Sequence, residues 1–144
     1  MKLIPIPESC EIPAEIPLDD FLQFVLDATR NWYKQVGFRP PWVSYLALEN
    51  EIPVGTCAFK TAPTEGRVEI AYGTVPGNEG RGIATAMARE LIAMARQTDP
   101  NVVVFAQTLP EENASTSVLK KLGLEWIGAV EHPEDGTVWE WEAR

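Results

Sequence analysis

The feature that most constrains this chain is the run at residues 68–96, VEIAYGTVPGNEGRGIATAMARELIAMAR. An extended, strand-like stretch passes through a short glycine-rich loop into a helix-period pattern. Strand, glycine loop and helix in that order build an anion site. Gly77, Gly80 and Gly82 lack a Cβ, so main-chain N–H groups can come close to a phosphate. The helix that follows leaves its first N–H groups without intrahelical partners, and its dipole favours negative charge there. Taken alone, the same residues also read as a tight strand–helix turn.

Two phosphate loops are excluded by what is missing. A P-loop needs Lys and then Ser or Thr after its second fixed glycine, and here Ile83 and Ala84 follow Gly82. A dinucleotide fingerprint fits Gly80 and Gly82 but meets Thr85 at its third place. Roughly 20 residues further on the chain reads Val102, Val103, Val104, Phe105, with no acid for a ribose hydroxyl.

The segment Glu79-Gly80-Arg81-Gly82-Ile83-Ala84, followed by Thr85, resembles the pyrophosphate motif Gln/Arg-x-x-Gly-x-Gly/Ala of the GNAT superfamily of acyl-CoA-dependent N-acyltransferases. Its last four positions match, while Glu79 replaces the family's Gln or Arg. Downstream, Asn113-Ala114-Ser115-Thr116-Ser117-Val118-Leu119-Lys120-Lys121-Leu122-Gly123-Leu124 is similar to the Asn-x-x-Ser…LysLeuGlyPhe segment of the branch that includes ribosomal-protein N-terminal acetyltransferases. The strand Glu69-Ile70-Ala71-Tyr72 and Pro76 sit at the family spacing. The likeness covers residues 54–141 well and the N-terminal third loosely.

Composition narrows the class further. A chain of 144 residues is one domain, 1–144, large enough for its own core. Twelve Lys and Arg against 21 Asp and Glu give a net charge of −9. A nucleic-acid partner, which needs a basic face, is therefore not expected. The charge suits a basic or amine-bearing acceptor and equally suits solubility. Cys10 and Cys57 lie far apart and form neither a metal spacing nor a disulfide framework, and the single His132 sits in a turn sequence, so no metal site is expected. The first 17 residues do not read as a signal peptide, and no run reaches the roughly 18 apolar residues of a membrane span. A reduced, cytoplasmic protein, monomer or homodimer, is the expectation.

Hydrophobic periodicity predicts ten elements in the order β–α–β–β–β–α–β–α–β–β. Strands are expected at residues 2–6, 42–48, 54–60, 67–75, 101–108, 124–130 and 137–141. Helices are expected from a cap at Asp19 or Asp20 to residue 36, at 82–97 and at 113–122. On the first helix Leu18, Phe21, Leu22, Val25, Leu26, Trp32 and Val36 form the apolar stripe. On the second it is Ile83, Met87, Leu91 and Met94. This is an α/β chain with a mixed, twisted sheet of about seven strands and helices on both faces. The resemblance implies the single-domain GNAT fold. In that fold the strands at 68–75 and 102–108 part at one end and admit the pantetheine arm of acetyl-CoA.

The resemblance also implies roles. Main-chain amides at residues 73–75 polarise the thioester carbonyl, making Thr74 and Val75 cofactor contacts. Glu79, Gly80, Arg81, Gly82, Ile83, Ala84 and Thr85 cradle the pyrophosphate, and Asn113 reaches the pantetheine arm. Asn113 reads equally as the N-cap of its own helix. Glu69 is the candidate general base; its plain alternative is a solvated glutamate paired with Arg67. Many family members place a tyrosine acid four residues before the glycine of the LysLeuGly segment. Here that position is Leu119, which leaves Ser115 as the nearest hydroxyl for the departing thiolate, or as a helix cap. Gly73 reads as a bulge or as close packing against a bulky neighbour. Phe38, Arg39 and Trp42 are the expected acceptor contacts. The implied function is acetyl transfer to the amine of a small molecule or a protein N-terminus by direct attack in a ternary complex. The competing reading is a CoA-binding sensor that performs no chemistry.

Overall fold

The computed structural model describes residues 1–143. The four prolines of the first 17 residues allow only the short strand β1 (Lys2–Pro5) before an irregular segment. Helix α1 (Asp20–Val36) then starts where the Asp19 carboxylate accepts the Leu22 N–H at 2.8 Å. It ends at Gly37, whose φ of 90° suits glycine. Strands β2 (Ser44–Glu49), β3 (Ile52–Phe59) and β4 (Arg67–Thr74) follow as an antiparallel meander. Helix α2 (Ile83–Thr98) leads to β5 (Val103–Thr108), α3 (Ala114–Lys121) and the hairpin β6 (Glu125–His132) and β7 (Gly136–Glu142).

The seven strands form one mixed sheet in the order β1-β2-β3-β4-β5-β7-β6. Helices α2 and α3 touch each other, and α2 lies on β3 and β4. The buried stripe of α2 is Ile83, Met87, Ala88, Leu91, Ile92 and Ala95. Gly55 is what lets α2 settle: a Cβ there would lie 2.7 Å from the Met87 Sδ and Cε. Helix α1 lines a cavity over the opposite face, so the sheet is covered on both sides as its alternating pattern requires.

Among the described residues the only parallel ladder is the short one between β4 and β5, with pairs Arg67–Val103, Val68–Val104 and Glu69–Phe105. Beyond Glu69, β4 stays with β3 as far as Thr74, while β5 follows β7 as far as Thr108. Each strand keeps its antiparallel neighbour, and the two part. At the closed end Arg67 fastens the strands: its guanidinium bonds the Glu140 and Glu142 carboxylates of β7 and lies 4.1 Å from the centre of the Phe105 ring. Arg67 is thus committed across the sheet rather than to Glu69.

Two sequence expectations change here. The buried residues of α1 are Leu22, Leu26, Thr29 and Tyr33, while Leu18, Phe21 and Trp32 stay exposed. The Tyr33 hydroxyl explains part of the shift, since it donates to the Ile6 carbonyl and accepts from the Ser44 N–H, tying α1 to β1 and β2. Gly73 lies in an unbroken register, Thr56–Gly73 followed by Gly55–Thr74, so it forms no bulge. A Cβ at Gly73 would meet no atom within 4 Å, so close packing does not require glycine there either.

Candidate active site

The phosphate-type loop forms as its glycines demand. Gly77, Gly80 and Gly82 have φ of 93°, 77° and 78°. A side chain at these positions would find space around it, so the demand for glycine is one of backbone conformation. Gly82 is the N-cap of α2, and no side chain caps this helix. Helix α1 by contrast is closed by Asp19, and α3 by a reciprocal pair in which Asn113 Oδ1 accepts the Thr116 N–H and Thr116 Oγ1 accepts the Asn113 N–H. Among the described residues, the α2 N-cap is the one of the three with no side-chain cap hydrogen bond. Ile83 is buried, so it offers the loop its N–H rather than its side chain, with Ala84 and Thr85 half-buried behind it.

A Glu79 carboxylate oxygen accepts the Gly77 N–H at 2.9 Å. Arg81 is held by Asn78 Oδ1 at 2.8 Å and by the Glu49 carboxylate at the end of β2.

From this loop the gap between β4 and β5 leads inward to Glu69. Along a strand, main-chain groups of successive residues point to opposite edges. The Val75 N–H bonds the Val54 carbonyl at 2.9 Å, on the β3 side, and the Glu69 carbonyl accepts from Lys60 N on that same side. Tyr72 and Thr74 therefore turn their N–H and C=O groups toward the gap. Thr74 has the edge expected of it, whereas the Val75 N–H is committed to β3.

Side chains of β4 alternate between faces. Val68, Ile70 and Tyr72 turn to the α2–α3 side, where the Tyr72 hydroxyl lies 3.2 Å from Ser115 Oγ and 3.3 Å from the Ser115 carbonyl. Ser115 does not cap α3, because Asn113 and Thr116 do. Burial pushes the Tyr72 phenol above its usual range and the Ser115 hydrogen bond pulls it back, which keeps the hydroxyl protonated at neutral pH. The cap occupies Asn113 Oδ1 and leaves the Nδ2 to donate elsewhere. Leu119, at the place of the family's tyrosine, is fully buried.

The other face carries Glu69, Ala71 and Gly73. Ala71 and Gly73 floor a cavity of about 540 Å³ with Thr56 and Ala58 of β3, under Phe24 and Trp32 of α1 and the β6–β7 tip. Glu69 stands on the same face at the vertex of the gap, its carboxylate 2.8 Å from Lys60 Nζ. Lys60 is also a cavity residue, and its carbonyl accepts the Trp32 Nε1–H. Phe38, Arg39 and Trp42 do not reach the cavity. Phe38 packs edge-on against Tyr33, Trp42 packs edge-on against Phe59, and Arg39 pairs in a short bridge with Trp42. The cavity also touches Cys57, whose thiol burial pushes up to about 12, so it is no thiolate nucleophile. Among the described residues no cluster of His, Cys, Asp and Glu could hold a metal ion, and no helix is long and apolar enough to cross a membrane.

Sequence reasoning missed Tyr72 and the α1 aromatics. A tyrosine on the inward face of a strand needs a partner for its hydroxyl, and that requirement was the available signal for Tyr72.

Comparison with known proteins agrees with this geometry. Residues 7–125 match the acetyltransferase (GNAT) domain. A search of curated protein sequences returned no match. Among solved structures, the fold is similar to an aminoglycoside acetyltransferase AAC(6')-Ib in complex with coenzyme A, with 21% identity, 70% of this chain and 65% of that one covered, and a TM-score of 0.59. The chain thus spans just under two thirds of that protein's length. It is also similar to the ribosomal L7/L12 alpha-N-protein acetyltransferase RimL in complex with coenzyme A, with 13% identity, 86% and 71% covered, and a TM-score of 0.67. A spermidine N-acetyltransferase from Vibrio cholerae gives 11% identity, 81% and 73% covered, and a TM-score of 0.66. With the domain match extending over most of its length, the chain belongs to the GNAT acetyltransferase family.

Proposed function

We propose that the protein transfers the acetyl group of acetyl-CoA to an amine by direct attack, both substrates being bound together. The observation that carries this reading is the placement of two sites on one strand. The uncapped α2 terminus and its glycine loop open into the β4–β5 gap, and the 540 Å³ cavity lies across β4 from the α2–α3 side. Solved relatives of this fold hold coenzyme A. The loop residues here suit its pyrophosphate, since Glu79 already puts a carboxylate on the Gly77 N–H.

Acetyl-CoA supplies the activated carbonyl and a thiolate leaving group. The chain's part is positioning and proton movement. Glycines 77, 80 and 82 and the first turn of α2 hold the diphosphate end. Thr74 and Tyr72 pair with the arm along the gap, as an added strand would. An arm entering from the loop runs toward Glu69, where the strands meet. Glu69 takes the proton that the amine must lose before or as it attacks, and an N–C bond forms as the C–S bond breaks. The Tyr72–Ser115 hydroxyl pair returns a proton to the departing sulfur. The buried, protonated Cys57 speaks for direct attack over an acyl-enzyme. The acceptor is an amine-bearing small molecule or a protein N-terminus.

The test is calorimetric titration with acetyl-CoA, followed by thiol release across an amine panel. Binding with amine-dependent release of free thiol is expected. Binding without release from any amine makes the protein a CoA sensor, and absence of binding removes the reading altogether.

A further inference from the structure

Resting on that reading of the cavity as the acceptor site, we infer that the acceptor is a small primary amine on an uncharged apolar body, without a carboxylate or phosphate. Three features carry it.

The first is the floor. Ala58, Ala71 and Gly73 are the smallest side chains available, on one face of two neighbouring strands. Gly73 has neither a positive φ nor a bulge nor a crowded Cβ, so no demand of the backbone or of packing calls for glycine. Its missing side chain leaves volume, and a volume of about 540 Å³ lies in the range of small-molecule sites.

The second is the wall. Phe24 is 70% exposed on α1, and Trp32, two helical turns on, is 37% exposed. Both turn toward the cavity instead of the core. Trp32 is fixed there by its Nε1–H bond to the Lys60 carbonyl. Aromatic faces at these positions offer an apolar body its contact area.

The third is charge. Among the described residues Lys60 is the only Lys or Arg that lines the cavity, and its ammonium sits on Glu69. His132 Nδ1 faces the main-chain N–H groups of Glu134 and Asp135, each at 3.1 Å, and lies 3.4 Å from the Asp135 carboxylate. The rim thus presents the Glu134 and Asp135 carboxylates, and the two basic side chains among the described cavity residues, Lys60 and His132, each already stand beside a carboxylate of the chain. An ammonium is drawn to this rim and then meets Glu69 on the same face of β4. A carboxylate beside the amine meets repulsion and finds no partner. A peptide N-terminus would bring main-chain polar groups onto a floor where Ala58, Ala71 and Gly73 offer no side-chain partner and Thr56 a single hydroxyl.

The experiment compares matched acceptors by thiol release with saturating acetyl-CoA. Phenethylamine is set against phenylalanine, which adds only the carboxylate, and against spermidine and a short peptide with a free N-terminus. A kcat/KM for phenethylamine at least about 100-fold above phenylalanine and the peptide is expected, from charge and main-chain polar groups left unpaired on an apolar floor. Gly73→Val should raise the phenethylamine KM at least tenfold, while calorimetric acetyl-CoA affinity and the thermal melt stay as in the parent protein. Glu134→Gln with Asp135→Asn should lower phenethylamine kcat/KM and flatten its salt dependence. Equal or better turnover of phenylalanine, spermidine or the peptide overturns the inference, as does a Gly73→Val protein with unchanged KM. Acetyl-CoA binding with no turnover of phenethylamine overturns it as well. Loss of acetyl-CoA binding in the unmodified protein would instead strike the function proposed above.

Discussion

Tyr72 and Ser115 meet hydroxyl to hydroxyl, 3.2 Å apart, where β4 faces the first turn of α3. They are 43 residues apart in the chain. Leu119 stands in the usual tyrosine place, and on the function proposed above this pair returns the proton to the departing sulfur. Tyr72→Phe should lower kcat about 10²-fold and leave acetyl-CoA affinity unchanged. Ser115→Ala should behave alike, and the double variant should be no worse than Tyr72→Phe, because the two act as one unit. Steady-state rates with calorimetry decide it; an unaltered kcat in Tyr72→Phe ends the assignment.

Glu69 stands where β4 and β5 last pair. Glu69→Gln keeps the shape and removes the base, so kcat should fall about 10²-fold with acetyl-CoA affinity retained. A rate equal to that of the unmodified enzyme at every pH takes Glu69 out of the chemistry.

The Glu79 carboxylate occupies the Gly77 N–H that a diphosphate would use. Glu79→Gln removes a like charge from the loop and restores a residue the family accepts. Acetyl-CoA affinity should rise several-fold, on the order of 1 kcal/mol, with the gain shrinking at high salt. Titrations at two ionic strengths measure it, and weaker binding in the variant contradicts it.

Stability should fall at alkaline pH. Burial pushes Cys57 and Tyr45 each up to about 12, from ordinary values of 9.0 and 10.0. Above pH 9 the unfolded chain releases the Cys57 proton while the native state keeps it. The stabilising difference is complete below pH 9 and is lost as pH climbs toward 12, at up to about 1.4 kcal/mol per pH unit for each group. Urea unfolding from pH 7 to 11 should show the decline, and Cys57→Ala should make it shallower. An identical slope in that variant assigns the loss elsewhere.

Arg67 joins Glu140, which is only 11% exposed, to β4. Arg67→Met leaves that carboxylate buried without its cation, and should cost about 3 kcal/mol. Replacing Glu140 by Gln in the same chain should recover part of it. Denaturant midpoints of the unmodified protein and the two variants provide the check.

The element order was legible because α2 is strongly periodic and β5 is a continuous apolar run. Gly82, Asp19 and Gly123 mark boundaries by their own backbone or capping chemistry, which is local. The glycine loop was legible for the same reason, since positive φ belongs to each residue separately. What escaped depends on long-range placement. Which aromatics of α1 face the core is set by the cavity beneath the helix, and periodicity cannot see a cavity. That Glu69 pairs with Lys60, and Arg67 with Glu140 and Glu142, depends on which strands become neighbours. Gly73 carries no local sign that its empty Cβ position opens a floor.

The alternation along β4 has a consequence for how this chain can change. Tyr72 and Gly73 are adjacent in sequence and both border the cavity, yet the Tyr72 hydroxyl reaches Ser115 at α3 while Gly73 lies with Ala71 on the opposite face of the strand. On the function proposed above, the two substrates are addressed by even and odd positions of a single strand. Substitutions on either set can drift without disturbing the other, so acceptor preference is free to diversify while the acetyl donor stays the same. An insertion or deletion of one residue between Glu69 and Thr74 has no such freedom. It would exchange the two sets and hand each substrate the surface meant for its partner.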